Sequence, residues 1–187
     1  MRIISGEFKK KKILSPNNSN TRPLKDLTKE SIFNIIKHTK KFKVKLENSN
    51  ILDLFSGIGS FGLECLSRGS SSITFVENYK EALVVLKKNI SLLKATNQAT
   101  IIERNIFNSL DFSCFDKKFE IIFIDPPYKE ENLIFVLSSI IKENILKKGG
   151  IIILHRHKKT KDIFPKNFKI IEEKTYGVSK IIFGNYI

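Results

Sequence analysis

From Ile51 onward the chain alternates short, nearly continuous β-branched runs with longer stretches whose apolar residues recur every three or four positions. The short runs predict strands at Ile51 to Phe55, Ser72 to Glu77, Thr100 to Arg104, Phe119 to Asp125 and Gly150 to His155. Between them, Tyr79 to Ala95 carries Ala82, Leu83, Leu86, Ile90 and Leu93 at helical spacing, and Asn132 to Lys147 does the same with Leu133, Val136, Leu137, Ile140 and Ile141. Strands apolar on both faces and linked by helices belong to a parallel sheet covered on both sides, so the expected fold is doubly wound α/β. After Pro165 the pattern changes. Phe168 to Thr175 and Val178 to Tyr186, broken at Gly177, predict a closing antiparallel hairpin.

Upstream, Met1 to Asn20 reads as a basic, β-rich arm ending in the loop Pro16-Asn17-Asn18-Ser19-Asn20. A helix over roughly Lys25 to Thr39 follows, with Leu27, Phe33 and Ile36 as its docking residues. The arm is too small for a core of its own, which suggests an N-terminal appendage over residues 1–45 and a main domain over 46–187.

Charge is concentrated in this front part. Of 33 Lys+Arg and 19 Asp+Glu in 187 residues, residues 1–50 hold 13 and 4, a net of +9, while the remaining 137 hold 20 and 15, a net of +5. A compositional bias toward Lys would raise the count everywhere; an excess at one end fits binding to a polyanion instead. The longest apolar runs, such as Leu133 to Leu137, fall far short of the roughly 18 residues of a membrane span. Lysines occupy the place where an export signal needs an apolar stretch, so a cytoplasmic location is expected. Cys65 and Cys114 lack ligand-like spacing, and His38, His155 and His157 have no evident metal-ligand partners, so no metal is expected.

Two motifs carry chemistry. Asp53-Leu54-Phe55-Ser56-Gly57-Ile58-Gly59-Ser60-Phe61-Gly62 runs from a strand end through a glycine turn into a helix, matching GxGxxG at Gly57, Gly59 and Gly62. Glycines let the backbone turn tightly and approach a ligand, while the helix start offers free amides. Glu77, twenty residues after Gly57, ends the second strand, where a carboxylate can accept ribose hydroxyls. A dinucleotide would bring its pyrophosphate against Asp53. S-adenosylmethionine brings a sulfonium and an ammonium, which an acidic strand tip attracts, so the methyl donor is favoured.

The second motif is Asp125-Pro126-Pro127-Tyr128, after the apolar run Ile121 to Ile124. Two prolines remove two N–H donors and hold the segment extended, leaving acceptors at a strand's C-terminal end. The Asp125 carboxylate and the Pro126 carbonyl can take both hydrogens of a planar exocyclic amine, and Tyr128 can stack on its base.

Together, Asp53 to Gly59 and Asp125 to Tyr128 resemble the Rossmann-like class I methyltransferases that modify exocyclic amines of nucleobases. Arg2-Ile3-Ile4-Ser5-Gly6, Thr21-Arg22-Pro23 with Asp26, Glu30, Phe33 and Asn34, then Gly62-Leu63-Glu64 and Leu66-Ser67-Arg68-Gly69, narrow the resemblance to the RsmD family, which methylates N2 of a guanine in 16S ribosomal RNA. The sequence departs from that pattern at Leu27, where Arg is common, and at Lys9 to Lys12, where Gly-Arg often stands. The resemblance implies S-adenosylmethionine as cofactor, held by Asp53, Phe55, Gly57, Gly59, Glu77 and, near the adenine, Asn105. It implies catalysis by Asp125, Pro126, Pro127 and Tyr128. It further implies RNA contact by Arg2, Lys9, Lys10, Lys11, Lys12 and Arg22, and a monomer acting on 16S rRNA in an assembled or assembling 30S subunit. A DNA adenine-N6 methyltransferase would share the chemistry but needs a target-recognition region, for which 187 residues leave little room. A protein glutamine methyltransferase more often has Asn in place of Asp125. A noncatalytic RNA-binding module would share the fold alone.

Overall fold

The structure, a computed structural model, describes residues 1–15, 24–108 and 110–186. Its core is a seven-stranded sheet built from β1 (Asn50–Leu54), β2 (Ser72–Glu77), β3 (Ala99–Glu103), β4 (Phe119–Ile124), β5 (Leu146–His157), β6 (Phe168–Tyr176) and β7 (Ser179–Tyr186), in the spatial order β3-β2-β1-β4-β5-β7-β6. β1 to β5 are parallel, and β7 enters antiparallel between β5 and β6. The doubly wound sheet and the C-terminal hairpin both follow the sequence reading. The chain builds outward from β1 to β3 and returns to β4 on the other side of β1, so the order reverses between β1 and β4. Such a reversal leaves a crevice at the C-terminal ends of the two strands.

Alternating side chains divide the core into two faces. Ile51, Ile73, Phe75, Ile121, Phe123, Ile151 and Ile153 pack beneath α1 (Asp26–His38), α2 (Ser60–Ser67) and α3 (Lys80–Leu92). Leu52, Leu54, Val76, Ile122, Ile124, Ile152 and Leu154 pack beneath α4 (Leu133–Lys142). A column of rings ties the first face together: Phe61 stacks on Phe123 at 4.0 Å and on Phe33 at 5.3 Å, and the Arg68 guanidinium lies 4.2 Å from the Phe33 ring centre. Gly62 is required by close packing, since a Cβ there would lie 2.4 Å from the Phe75 ring.

Two expectations are corrected. The helix read over Asn132 to Lys147 ends at Lys142, because Asn144 adopts φ +49 and the Ile145 N–H turns back to the Ile140 carbonyl; Leu146 already belongs to β5. Leu27 does not dock α1. It points to solvent, while Ile32, Phe33 and Ile36 share the buried face with Lys29.

The first fifteen residues are knit into the same core. Ile3, Phe8 and Ile13 are buried in the cluster beneath α1, α2 and α3. The expected β-rich arm is also corrected: residues 1–15 form a turn with no strand, and only one antiparallel bridge, between Arg2 and Lys12, joins its two ends. The Glu64 carboxylate on α2 accepts from the Ile4 and Ser5 N–H groups at 2.8 and 3.0 Å. Lys29 Nζ lies 3.6 Å from the same carboxylate and donates to the Arg2 carbonyl at 2.9 Å. Both side chains are 0% exposed, and burial pulls the Lys29 amine below its ordinary range against the pull of Glu64 and Asp26. Asn89 on α3 closes the other end, accepting from Leu14 N and donating to the Leu14 carbonyl.

Removing one partner of a fully buried ion pair strands the other. Glu64→Ala is expected to lower unfolding free energy by about 3–5 kcal/mol and to release the amides of residues 3–8 in hydrogen exchange. Protected amides and a loss well under 1 kcal/mol would contradict this anchoring.

Candidate active site

The crevice at the reversal is a cavity of about 450 Å³, within the usual size for a small-molecule site. The turn after β1, the tip of β2 and the segment after β4 all contribute walls. Asp53, Phe55, Gly57 and Glu77 line it together with Asp125, Pro126, Pro127 and Tyr128, so two motifs about seventy residues apart in the sequence meet in one pocket.

The β1 turn is held by its neighbours rather than by its own side chains. Phe55 takes a left-handed conformation at φ +59, uncommon for a bulky residue, and its ring packs against Phe107 at 5.5 Å. Gly57 at φ +54 leaves open space where a Cβ would stand, whereas a Cβ on Gly59 would lie 2.5 Å from Leu86. One Glu77 oxygen accepts from Gly57 N at 2.7 Å and the other from Asn78 N and Tyr79 N at 2.8 and 2.9 Å. Glu77 thereby closes the glycine turn onto β2 while lining the cavity. Asp53, on the α2 side of β1, accepts from Gly62 N at 3.0 Å and fastens the first turn of that helix. Burial drives the Asp53 carboxyl well above the ordinary carboxylate range; the Gly62 bond opposes this, and the negative charges of Asp125 and Glu77 reinforce it. A cation in the cavity would reverse that balance.

At the other tip, Asp125 is a near neighbour of His155 across β4 and β5, with Oδ1 2.8 Å from His155 Nδ1. The Tyr128 ring meets His155 and His157 in edge-on contacts at 5.9 and 5.3 Å. Arg156, only 2% exposed, holds the segment from beneath: its guanidinium donates to the Pro127 and Glu130 carbonyls and its Nε to Asp162 at 2.8 Å. His155 and Arg156 carried no sequence signal, since their partners lie on other strands and loops. The apolar run through Leu154 gives way there to two polar residues inside a buried strand, and that interruption was the available clue.

Not every candidate converges. Gly59 and Asn105 are not among the residues lining the cavity. Asn105 Oδ1 instead caps the turn after β3, accepting from Phe107 N and Asn108 N. Arg2 and Lys9 to Lys12 are exposed on the arm. Arg22, with Pro16 to Asn20, Thr21 and Pro23, lies outside the described residues. Among the described residues, no helix is long and apolar enough to cross a membrane, and no cluster of three or more His, Cys, Asp or Glu is placed to hold a metal ion.

This topology with a cavity at its reversal is that of the Rossmann-like methyltransferases. A solved Haemophilus influenzae protein superimposes with a TM-score of 0.76 at 30% identity, covering 98% of this chain and 96% of its own. Escherichia coli yhhF superimposes with a TM-score of 0.80 at 24% identity, covering 100% and 97%. Their descriptions carry the words methylase and methyltransferase. The model of the family described as Conserved hypothetical protein 95 matches residues 1–185, and the chain belongs to that family, the RsmD family. Among its relatives, Ribosomal RNA small subunit methyltransferase D of Haemophilus influenzae is 32% identical over 95% of this chain and 90% of its own length. The protein of that name from Buchnera aphidicola subsp. Baizongia pistaciae is 34% identical over 99% and 92%.

A carboxyl raised by burial favours the folded state while protonated, and that contribution is lost as pH rises from the ordinary carboxylate range through the raised value. Asp53→Asn keeps an acceptor for Gly62 N and removes the charge. In the ligand-free protein it is expected to flatten the fall of Tm with rising pH and to raise Tm at neutral pH, by about 2–4 °C per kcal/mol recovered. An equally steep or steeper fall in the variant would contradict the assignment.

Proposed function

We propose that the protein transfers a methyl group from S-adenosylmethionine to the exocyclic N2 amine of a guanine in 16S ribosomal RNA. The observation that carries this reading is the single cavity joining the acidic glycine turn of β1 to Asp125-Pro126-Pro127-Tyr128 at the end of β4. The names of the family relatives support ribosomal RNA of the small subunit as the substrate. The residues present suit a cationic nucleoside ligand: three carboxylates border the cavity, and the most buried of them, Asp53, has a strongly raised pKa.

When bound, S-adenosylmethionine supplies a methyl group already activated on a positive sulfur. The protein's own task is therefore mainly positioning. Asp53, Phe55 and Gly57 form the methionine side of the site, Gly59 shapes that side by letting the turn pass close to Leu86, Glu77 takes the ribose, and Asn105 shapes the adenine end through the turn it caps. Asp125 and the Pro126 carbonyl accept the two amine hydrogens and thereby aim the nitrogen lone pair. They also stabilise the positive charge that grows on that nitrogen, and the Asp125 carboxylate is the nearest acceptor for the proton it then sheds. Pro127 keeps the segment extended, and Tyr128 stacks on a base flipped out of the RNA, offsetting an unstacking cost of a few kcal/mol. Arg2, Lys9 to Lys12 and Arg22 bind phosphates. The acting unit is a monomer in the cytoplasm, working on an assembled or assembling 30S subunit.

Two outcomes follow. Incubated with small subunits that lack the modification, the protein should produce N2-methylguanosine, identified by mass spectrometry of the digested RNA, and Asp125→Ala should lower the rate by about 10²–10³ while still binding S-adenosylhomocysteine. Undiminished turnover in the variant would remove the mechanism. Replacing Lys9, Lys10, Lys11 and Lys12 by Ser should weaken RNA binding and reduce the slope of log K against log salt by about 0.7–0.9 for each phosphate no longer neutralised. An unaltered slope would leave the arm without its assigned role.

A further inference from the structure

An aspartate at a strand end is ordinarily steadied by the backbone N–H two residues on. Here that residue is Pro127, which has no N–H. The donor comes from the adjacent strand instead. The register of β4 with β5, Ile124 beside Leu154, sets Asp125 next to His155, whose Nδ1 lies 2.8 Å from Asp125 Oδ1. The far side of the ring reaches β7, with Nε2 2.9 Å from Ser179 Oγ. A carboxylate only accepts, so Nδ1 carries the hydrogen, and Nε2 is left to accept from the Ser179 hydroxyl. The imidazole is buried and lines the cavity, with Tyr128 edge-on against it. Arg156, the next residue along β5, is engaged elsewhere, with Asp162 and the loop carbonyls.

We propose that His155 is a positioning residue for the amine-binding tip: its Nδ1–H fixes Asp125 in one rotamer, the Asp125 carboxylate selects the tautomer that makes this donation possible, and Ser179, able to donate or accept, holds the far side of the ring. Oδ1 is thereby occupied, and Oδ2 is left for the amine. The kinetic part of this proposal rests on the methyl-transfer reading above, whereas the tautomer does not.

Long-range ¹H–¹⁵N correlation spectra of the full-length protein without cofactor should show His155 protonated at Nδ1, and Asp125→Ala should shift the ring toward the Nε2–H form. A wild-type ring protonated at Nε2 alone would overturn the proposal. In single-turnover methyl transfer to small subunits, His155→Ala should slow the step by about 10- to 100-fold, with S-adenosylhomocysteine affinity and the RNA Kd unchanged. His155→Asn, whose amide N–H can stand in for Nδ1, should recover most of that loss. A purely structural histidine would lower Tm in both variants without separating their rates, and that result, or a wild-type rate in His155→Ala, would refute the positioning role. If the wild-type protein transfers no methyl group to RNA at all, the proposed function fails, and the tautomer measurement still decides whether His155 orients Asp125.

Discussion

The site depends on adjacency: β1 and β4 are neighbours in the sheet, and the chain reverses direction of growth between them. Parallel register carries the ends of both strands to the same edge, so Asp53 and Asp125 border one cavity although seventy-two positions separate them in the sequence. Glu77 arrives at that edge through β2. Burial raises the proton affinity of the Asp53 carboxyl, and the negative charges of Asp125 and Glu77 at the same edge add to it. An arrangement that is unfavourable for the empty protein is suited to a cationic ligand.

Around this acidic pocket, backbone geometry is controlled by hydrogen bonds from outside each segment. Glu77 holds the glycine turn, Asp53 holds the start of α2, Arg156 holds the loop after Pro127, and His155 meets Asp125. Glycine and proline explain why such support is needed. Gly57 brings no side chain to secure its turn, and the Pro126-Pro127 pair brings no N–H. The same division of labour appears in the N-terminal arm, whose lysines are exposed while Ile3, Phe8 and Ile13 are buried and Glu64 takes up two of its backbone amides. The basic surface is therefore carried on a segment anchored to α1, α2 and α3.

Local patterns made much of this legible. Strand runs and helical periodicities gave β1 to β7 to within a few residues, because a sheet covered on both faces demands continuous apolar strands. Where the sequence misled, the reason was local as well. Ile140, Ile141 and Ile145 sustain a helical rhythm that Asn144 interrupts only by its left-handed backbone. Leu27 is apolar yet sits on the side of α1 opposite Lys29, a residue that hydropathy alone would place outside. The cavity's two motifs were visible because turn chemistry confines them to glycine and proline. His155, Arg156 and the Lys29–Glu64 pair were not, because each depends on a partner brought close by the fold rather than on spacing along the chain.

The central claim is that the acidic turn of β1 holds the methyl donor beside the acceptors at the end of β4. A crystal structure of the protein with S-adenosylhomocysteine tests it most directly. The account predicts the ribose on Glu77 and the sulfur between the β1 turn and Asp125; a ligand bound away from this cavity, or none at saturating concentration, would contradict it.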